Sequence, residues 1–207
     1  KADEIRAAGL TPVVVDVFDT PALTRAVVAA RPDIVIHQLT DLPPGLDPSR
    51  MAESVARNAR VRGEGTRNLV TAALEAGARR LIAQSIAWAY APGSEPHGED
   101  DPLDLKAEGS RAISVGGVAA LERLTLASPP IEGVVLRYGQ LYGPGTGADK
   151  SAGASPVHVD AAAFAALLAI DRAIPGVYNI AEDNKFVSTE KARRVLGWDQ
   201  SFRLPSR

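Results

Sequence analysis

Short apolar segments alternate with longer alanine-rich segments along this chain. The short segments are rich in β-branched residues and apolar throughout, which predicts strands buried on both faces; they cover residues 12–15, 33–37, 80–84, 133–137 and 176–180. The longer segments have a helical period and cover residues 21–30, 49–76, 117–127, 160–171 and 188–196. Strands and helices in this order form βα units. We therefore predict an α/β protein with a doubly wound parallel sheet, in which strands 13–15, 34–36, 81–83 and 134–136 lie side by side.

Composition excludes several classes of function. The chain has 207 residues, 45% of them hydrophobic, which is enough for a sizeable core. Lys and Arg total 23 against 25 Asp and Glu, so the charge balance argues against nucleic acid as a partner. No apolar run reaches the ~20 residues that cross a bilayer, so we expect no membrane partner. The absence of cysteine fits a reducing compartment, and we predict a cytoplasmic protein.

Five sequence segments, spread over nearly the whole chain, have a characteristic order and spacing. They are DIVIHQLT at 33–40, EGTRNLVTAALEAGARRLIAQSIAWAY at 64–90, VVLRYGQLYGPG at 134–145, HVDAAAFAALLAI at 158–170 and VYNIAED at 177–183. Together they resemble the extended short-chain dehydrogenases/reductases of the NAD-dependent epimerase/dehydratase family. The resemblance implies a Rossmann-like sheet whose N-terminal βαβ portion is absent from this chain. It also implies a partial dinucleotide-binding domain over residues 1–142 and a small C-terminal substrate-binding portion over residues 143–207.

The resemblance implies a cofactor groove for NAD or NADP along the carboxyl ends of the strands. Asp16 and Val17 match the acidic and apolar pair that meets the adenine ring. Tyr138 belongs to a segment whose backbone lies against the nicotinamide. Residues at the family's ribose and diphosphate position are Gln38, Leu39 and Thr40. The acid on the second strand that selects between NAD and NADP is absent, so both cofactors remain open.

The same resemblance implies candidate catalytic and substrate residues. Ser85 matches the strand-end hydroxyl that orients the substrate, a role suited to a group that both donates and accepts. A serine at a strand end also satisfies turn backbone groups, so a structural role is the alternative. Gln140 and Tyr142 match substrate-facing positions, and we take Tyr90 as the nearest candidate for a catalytic acid or base, with Tyr142 as the alternative. A small-molecule substrate is the expected partner.

The chain departs from the family pattern at its acid-base dyad. Counting back from Glu122 in the YGxSKxxxE pattern, the tyrosine position is Ser114 and the lysine position is Val118. In the family, the lysine ammonium lowers the tyrosine pKa and holds the cofactor ribose. Arg62 stands where the family has a helix asparagine, and no GxxGxxG turn for the diphosphate is present. Whether the protein is an enzyme is therefore open.

Two functions remain as hypotheses. The first is an NAD(P)-dependent epimerase, dehydratase or reductase that acts on a sugar nucleotide or a similar hydroxylated small molecule. The second is a catalytically silent dinucleotide-binding sensor or protein-interaction module, which the missing dyad favours. Three scattered histidines lack metal-ligand spacing, so we predict no metal site, and the AQSIA segment around Ser85 does not match the GxSxG of hydrolases.

The resemblance also implies a homodimer formed by helices 49–76 and 117–127. Close approach of two helices across a two-fold axis requires small side chains. The chain offers Ala52, Ala56, Ala59, Gly63, Ala119 and Ala120.

Overall fold

A four-stranded parallel sheet organises the fold in the computed structural model, which describes residues 2–43 and 48–205. Its strands are β1 (Ile34–His37), β2 (Arg80–Ile86), β3 (Glu132–Tyr138) and β6 (Gly176–Ile180), in the spatial order β1-β2-β3-β6. All three pairings are parallel, with Val35 beside Leu81, Ile82 beside Val134 and Val134 beside Gly176. Four of the five predicted strands therefore exist, and the predicted doubly wound α/β architecture is confirmed.

Helices cover both faces of this sheet. The first helices are α1 (Ala2–Ala7) and α2 (Thr20–Ala30), and after a 3₁₀ turn at Pro48–Arg50 come α3 (Met51–Arg60) and α4 (Thr66–Glu75). Helix α5 (Gly109–Leu126) packs on β2 and β3 together with α3 and α4, and α6 (Val159–Arg172) contacts the same strands. On the α6 face, Ile82, Val134 and Leu136 belong to the largest cluster of buried residues. On the α4 face, Leu81 packs with Val70 and Ala73.

The predicted strand at 12–15 was wrong. Residues 11–16 have no ladder, and Val13 and Val14 are 60% and 90% exposed. Within the described residues β1 is the edge strand of the sheet, because its single partner there is β2. An apolar run becomes a buried strand only where a neighbouring strand accepts its backbone hydrogen bonds, and none of the described residues forms such a strand beside residues 12–15.

The long predicted helix 49–76 contains a π-helical turn. Val61–Gly65 joins α3 to α4 without interrupting the helical path. A π turn inserts one extra residue into a helix, and such turns are frequently found at functional sites. Helix α5 begins earlier than predicted, at Gly109, and a second π-helical turn, Ala192–Leu196, lies in the predicted helix 188–196.

Small residues bring α3 and α5 together within one chain. A Cβ atom at Gly117 would lie 2.9 Å from the Cα atom of Ala59, and one at Gly63 would lie 4.0 Å from the Cβ atom of Ala120. Three of the six small residues predicted for a dimer contact therefore serve intrachain helix packing. The side chains of Ala52 and Ala56 are exposed, and the homodimer itself stays a prediction.

A second, two-stranded parallel sheet follows the main one. It pairs β4 (Gln140–Tyr142) with β5 (Pro156–His158). The chain then returns through α6 to β6, which adds the fourth strand to the main sheet. Residues beyond position 142 thus contribute both to this small sheet and to the main sheet, and the division at 142 stays a prediction.

Candidate functional site at the carboxyl edge of the sheet

The loop after β1 is fixed by two polar residues of the helix that packs beside it. The His37 Nε2 atom lies 2.8 Å from the Thr66 hydroxyl, and the His37 Nδ1 atom accepts the backbone N–H of Leu39. The Asn58 Oδ1 atom accepts the Thr40 hydroxyl at 3.0 Å and the backbone N–H of Asp41 at 2.9 Å. The backbone at the predicted cofactor residues Gln38, Leu39 and Thr40 is therefore held, while their side chains remain exposed.

His37 is neutral at physiological pH. Burial, reinforced by the positive charge of Arg62, lowers the pKa of His37 to about 4. The ring is 1% exposed and both nitrogens have partners. Because one nitrogen accepts the Leu39 N–H, the neutral ring donates from Nε2 to Thr66. Protonation of Nδ1 would remove the acceptor for the Leu39 N–H.

The predicted adenine residues Asp16 and Val17 lie beside the π turn. The Asp16 carboxylate accepts the backbone N–H of Phe18 at 2.9 Å and is exposed. Val17 packs against Gly65, where a Cβ atom would lie 3.5 Å from either Val17 methyl group. The Asn68 side chain donates to the Val17 carbonyl at 3.0 Å. The structure therefore brings Asp16 and Val17 to the same helical segment that holds the loop after β1.

Ser85 lies in a buried polar network rather than at an open surface. It is 0% exposed, and its hydroxyl donates to Glu122 Oε1 at 2.7 Å. Arg137 donates to both carboxylate oxygens of Glu122, at 2.9 and 2.7 Å. Burial alone would lower the pKa of Arg137, but the hydrogen bonds and charge of Glu122 outweigh it and raise that pKa. A closed ion pair of this kind keeps Ser85 oriented inward.

Tyr90 belongs to the same network. Its hydroxyl accepts from Arg137 Nη1 at 2.7 Å and donates to Asn179 Oδ1 at 2.7 Å. Its ring stacks on His97, with centroids 4.9 Å apart, and is 2% exposed. Burial raises the pKa of Tyr90 despite the nearby Arg137 guanidinium. A catalytic acid or base needs a pKa near the working pH, so this environment opposes that role.

The structure therefore places both predicted catalytic residues inside the protein. All hydrogen-bonding groups of Ser85 and Tyr90 that face the interior are occupied, as expected for buried polar groups. The alternative structural role of Ser85 fits this geometry. A catalytic role for Ser85 or Tyr90 stays a prediction.

A cavity of about 200 Å³ lies where β2 ends against the start of α5. Its walls are Ile86, Trp88, Ala89, Ser110, Arg111, Ser114 and Val115. Ser114, at the family's tyrosine position, thus faces open space. Val118, at the lysine position, is fully buried in the cluster formed by Ile86, Ala89 and Val115. Both dyad positions therefore border this region, although neither carries a group that titrates near neutral pH.

Arg111 is the charged residue of the cavity wall, and each of its three guanidinium nitrogens donates one hydrogen bond within the protein. It donates to the Asp104 carboxylate at 2.7 Å and to the carbonyls of Trp88 and Tyr90 at 3.2 and 3.0 Å. It therefore fixes the segment after β2 that carries Trp88. Sequence reasoning missed Trp88 and Arg111; their only signal was a position between a strand end and the helix that carries the dyad positions.

The remaining predicted residues lie apart from this cavity. The Tyr138 side chain is buried and hydrogen-bonds the Gln38 side chain, which links β3 to the loop after β1, and burial raises the pKa of Tyr138. Gln140 Oε1 accepts from the backbone and the hydroxyl of Ser155. The Tyr142 hydroxyl donates to Glu182 at 2.7 Å. Gln140 and Tyr142 thus stabilise the small sheet, and their contact with substrate stays a prediction.

Two features are absent from the described residues, a metal-binding cluster and a membrane-spanning helix. Residues 2–43 and 48–205 contain no group of three or more His, Cys, Asp or Glu side chains placed to hold a metal ion. In the same part of the chain, no helix has the length and apolarity that crossing a membrane requires.

Residues 1–163 match the model of the NAD dependent epimerase/dehydratase family. The chain belongs to that family. This membership confirms the resemblance read from the sequence and the prediction of a nicotinamide dinucleotide as the cofactor.

The chain is similar to one curated protein by sequence and to several solved structures by fold. A 3-diazoavenalumate denitrifying reductase from a Streptomyces species is 44% identical over 192 residues, which cover 83% of this chain and 62% of the relative. The chain thus spans less than two thirds of that curated relative. A UDP-glucose 4-epimerase from Thermotoga maritima superposes with a TM-score of 0.74 at 16% identity, covering 94% of this chain and 80% of that one. The Bordetella bronchiseptica enzyme WbmG, solved with NAD, gives 0.69 at 20% identity, covering 95% and 76%.

The residues present fit one side of a dinucleotide groove. The carboxyl ends of β1, β2 and β3 lie side by side, which is where open α/β sheets bind such ligands. Exposed polar groups at Asp16, Gln38 and Thr40 border apolar surface at Leu39, which is 43% exposed. The sequence has no GxxGxxG turn to receive the diphosphate.

Proposed function

We propose that this family member is a nicotinamide-dependent reductase whose hydride acceptor needs no acid or base from the protein. The single observation that carries this proposal is the cavity at Ser114. At the position where the family has its tyrosine, the cavity offers a serine, and its other walls are apolar apart from Ser110 and Arg111, whose three nitrogens each donate one hydrogen bond within the protein. Serine does not exchange protons near neutral pH, so proton transfer has no side chain there.

The 44% identical relative supports a particular class of acceptor, because its name describes the reductive removal of nitrogen from a diazo compound. A reduced nicotinamide, when bound, supplies a hydride, and replacing a diazonium group by hydrogen consumes that hydride, releases dinitrogen and needs no added proton. The loss of the Tyr-Lys dyad would remove nothing that such a reaction uses. Asp16, Gln38, Thr40 and the backbone at Tyr138 would hold the cofactor at the sheet edge.

The shape and lining of the cavity suit an aromatic substrate. The indole of Trp88 and the side chains of Ile86 and Val115 give apolar walls against which a planar ring packs. The hydroxyls of Ser110 and Ser114 supply hydrogen bonds that orient a polar ring substituent. A cavity of about 200 Å³ holds one ring with its substituents.

The sugar-nucleotide substrate stays a prediction that this site disfavours. Epimerisation and dehydration of a sugar begin with removal of a hydroxyl proton, for which Ser114 and Val118 provide no base. The silent binding module also remains a candidate, since the missing dyad favours it. Cytoplasmic location and the homodimer remain proposals drawn from composition and family resemblance.

An assay of the full-length protein with two substrates distinguishes the three candidate functions, namely the diazo reductase, the sugar-nucleotide enzyme and the silent binding module. NADH and NADPH are mixed in turn with 3-diazo-4-hydroxybenzoate, a simple aromatic diazo acid, and with UDP-glucose. Protein-dependent cofactor oxidation with release of dinitrogen from the diazo acid is the expected result. Epimerised UDP-glucose without reaction of the diazo acid would establish the sugar-nucleotide function. Cofactor binding with neither reaction would establish the silent module.

A further inference from the structure

Arg62 is the second residue of the π turn, and the structure shows no hydrogen bond or ion pair of its guanidinium with any described residue. Its side chain is half-buried. Neighbouring arginines of the same helical segment differ, because Arg57 pairs with Asp41 and Arg60 pairs with Glu64 at the surface. A guanidinium has five N–H donors, and withdrawing it from water without partners is costly. Its nitrogens keep some contact with solvent, so water or a bound ligand supplies their acceptors.

The surroundings of Arg62 place its charge at the sheet edge. Asn58 and Thr66, one helical turn before and after it, both hydrogen-bond the end of β1 and its following loop. On the opposite side, the π turn packs on α5, where Gly63 approaches Ala120. The charge of Arg62 acts on His37 from one side and feels that of Glu122 from the other. The guanidinium therefore lies between the carboxyl end of β1 and α5.

Neither charged neighbour satisfies Arg62. Both oxygens of Glu122 already accept hydrogen bonds from Arg137, and one also accepts the Ser85 hydroxyl. His37 is neutral, and both of its ring nitrogens have partners. Burial lowers the pKa of Arg62, but an arginine keeps its charge at any working pH. A half-buried permanent cation with free donors therefore faces the region where ligands of such sheets bind.

We propose that Arg62 is a ligand-binding residue, and that its guanidinium takes up an anionic oxygen pair, a carboxylate or a phosphate, of a molecule bound at the carboxyl edge of the sheet. The fork of N–H groups in arginine matches two oxygens of either group. The proposal rests on the proposed function only in taking this edge as the ligand site. The oxygen pair belongs either to the dinucleotide or to an acidic small-molecule substrate.

The π turn explains how the helix presents Arg62 in this position. The extra residue of a π turn shifts the side chains that follow it around the helix axis. In this chain the turn holds Asn58 and Thr66 on the strand side simultaneously, with Arg62 between them. Within the turn, Gly63 lies beside Ala120 of α5 and Gly65 lies beside Val17.

Equilibrium binding to the full-length protein tests the proposal without relying on turnover. NADH and 4-hydroxybenzoate are titrated separately, and the latter also in the presence of oxidised NAD. Arg62→Gln removes the charge, Arg62→Lys keeps the charge without the fork, and Arg67→Gln is the matched control, since Arg67 is an exposed arginine of the same helical segment. We expect Arg62→Gln to weaken one of the two probes by about 10- to 100-fold, the loss typical of a charged hydrogen bond. Arg62→Lys should lose about 5-fold or more, and Arg67→Gln should change by less than about 2-fold.

The probe that loses affinity for Arg62→Gln identifies the molecule that carries the oxygen pair. Loss of NADH binding assigns it to the dinucleotide, and loss of 4-hydroxybenzoate binding assigns it to the substrate. If a folded Arg62→Gln protein binds both probes as the wild type does, the proposal is wrong. If Arg62→Gln does not fold, Arg62→Lys decides, and unchanged binding of both probes by that variant overturns the proposal. Because no reaction is measured, these results stand whether or not the protein reduces a diazo compound.

Discussion

Two groups of polar residues lie near the carboxyl end of the same sheet. They differ in whether all their polar side chains have hydrogen-bond partners within the protein. The first is the network of Ser85, Glu122, Arg137, Tyr90 and Asn179, in which every member has partners and is buried. The second is the edge region of Ser114, Arg62 and the loop after β1. There, Ser114 faces a cavity and Arg62 has no described partner, while the loop after β1 has its backbone held and leaves the side chains of Leu39 and Thr40 exposed.

This difference separates structural from functional polar residues better than residue type does. A buried network that satisfies itself stabilises one packing arrangement, and no donor remains for a ligand. An edge residue that lacks a partner costs free energy in the empty protein, which a ligand recovers on binding. We therefore assign a role in stability to the first group and a role in ligand contact to the second.

Removing Glu122 should cause the largest loss of stability. Glu122→Ala leaves the buried Arg137 guanidinium without its counter-charge, which typically costs about 3–5 kcal/mol. Urea unfolding followed by circular dichroism measures this cost. Glu64→Ala, which breaks the exposed pair with Arg60, serves as the control and should leave the unfolding midpoint unchanged. Equal effects of the two substitutions would show that the network is not closed as described.

His37 should make stability depend on pH between about pH 4 and pH 6.5. Its pKa is lowered from 6.5 to about 4 in the folded protein, so the unfolded chain takes up a proton first as the pH falls. The stabilising contribution is complete above pH 6.5 and is lost as the pH falls through this window, and the loss reaches roughly 3 kcal/mol at pH 4. Urea unfolding of wild type and His37→Asn at several pH values measures the difference. Parallel pH profiles of the two proteins would contradict the buried neutral histidine.

Ser85→Ala and Tyr90→Phe should lower stability by about 1–3 kcal/mol each, because each leaves a buried partner unsatisfied. In the full-length protein, both variants should retain turnover within a few-fold at a temperature where they are folded. The unfolding free energy and kcat are measured on the same samples. If kcat falls 100-fold or more while stability is unchanged, the catalytic assignment made from sequence is right and the structural role is wrong.

Most of the sheet could be predicted from the sequence because burial leaves a local record. The continuous apolar runs at 80–84 and 133–137 became β2 and β3 at the centre of the sheet. The run at 12–15 is also apolar and contains three valines, yet it is no strand. A local pattern shows that a segment is able to be buried but not that a neighbouring strand exists. Continuous apolarity therefore predicts strands only where partner strands are also present.

The site was harder to predict because it depends on directions and on distant contacts. The sequence places Ser85 near a strand end, but only the packing of α5 shows that its hydroxyl turns to Glu122. Trp88 and Ser114 meet across one cavity although they belong to different elements. The missing dyad at Ser114 and Val118 could be predicted because the family resemblance, counted back from Glu122, implies a tyrosine and a lysine at these two positions. The π turn left only the weak signal of Gly63 and Gly65.

The central claim, that the site transfers hydride without a protein acid or base, is tested most directly by a solvent isotope effect. Rapid mixing of the full-length protein and reduced cofactor with 3-diazo-4-hydroxybenzoate, in ordinary and in heavy water, gives the rate of cofactor oxidation in each solvent. Substitution of deuterium at the transferable position of the cofactor shows when hydride transfer limits that rate. We predict that the deuterated cofactor slows the reaction and that heavy water leaves it unchanged. A several-fold slowing in heavy water would contradict the claim, because a proton would then move in the same step.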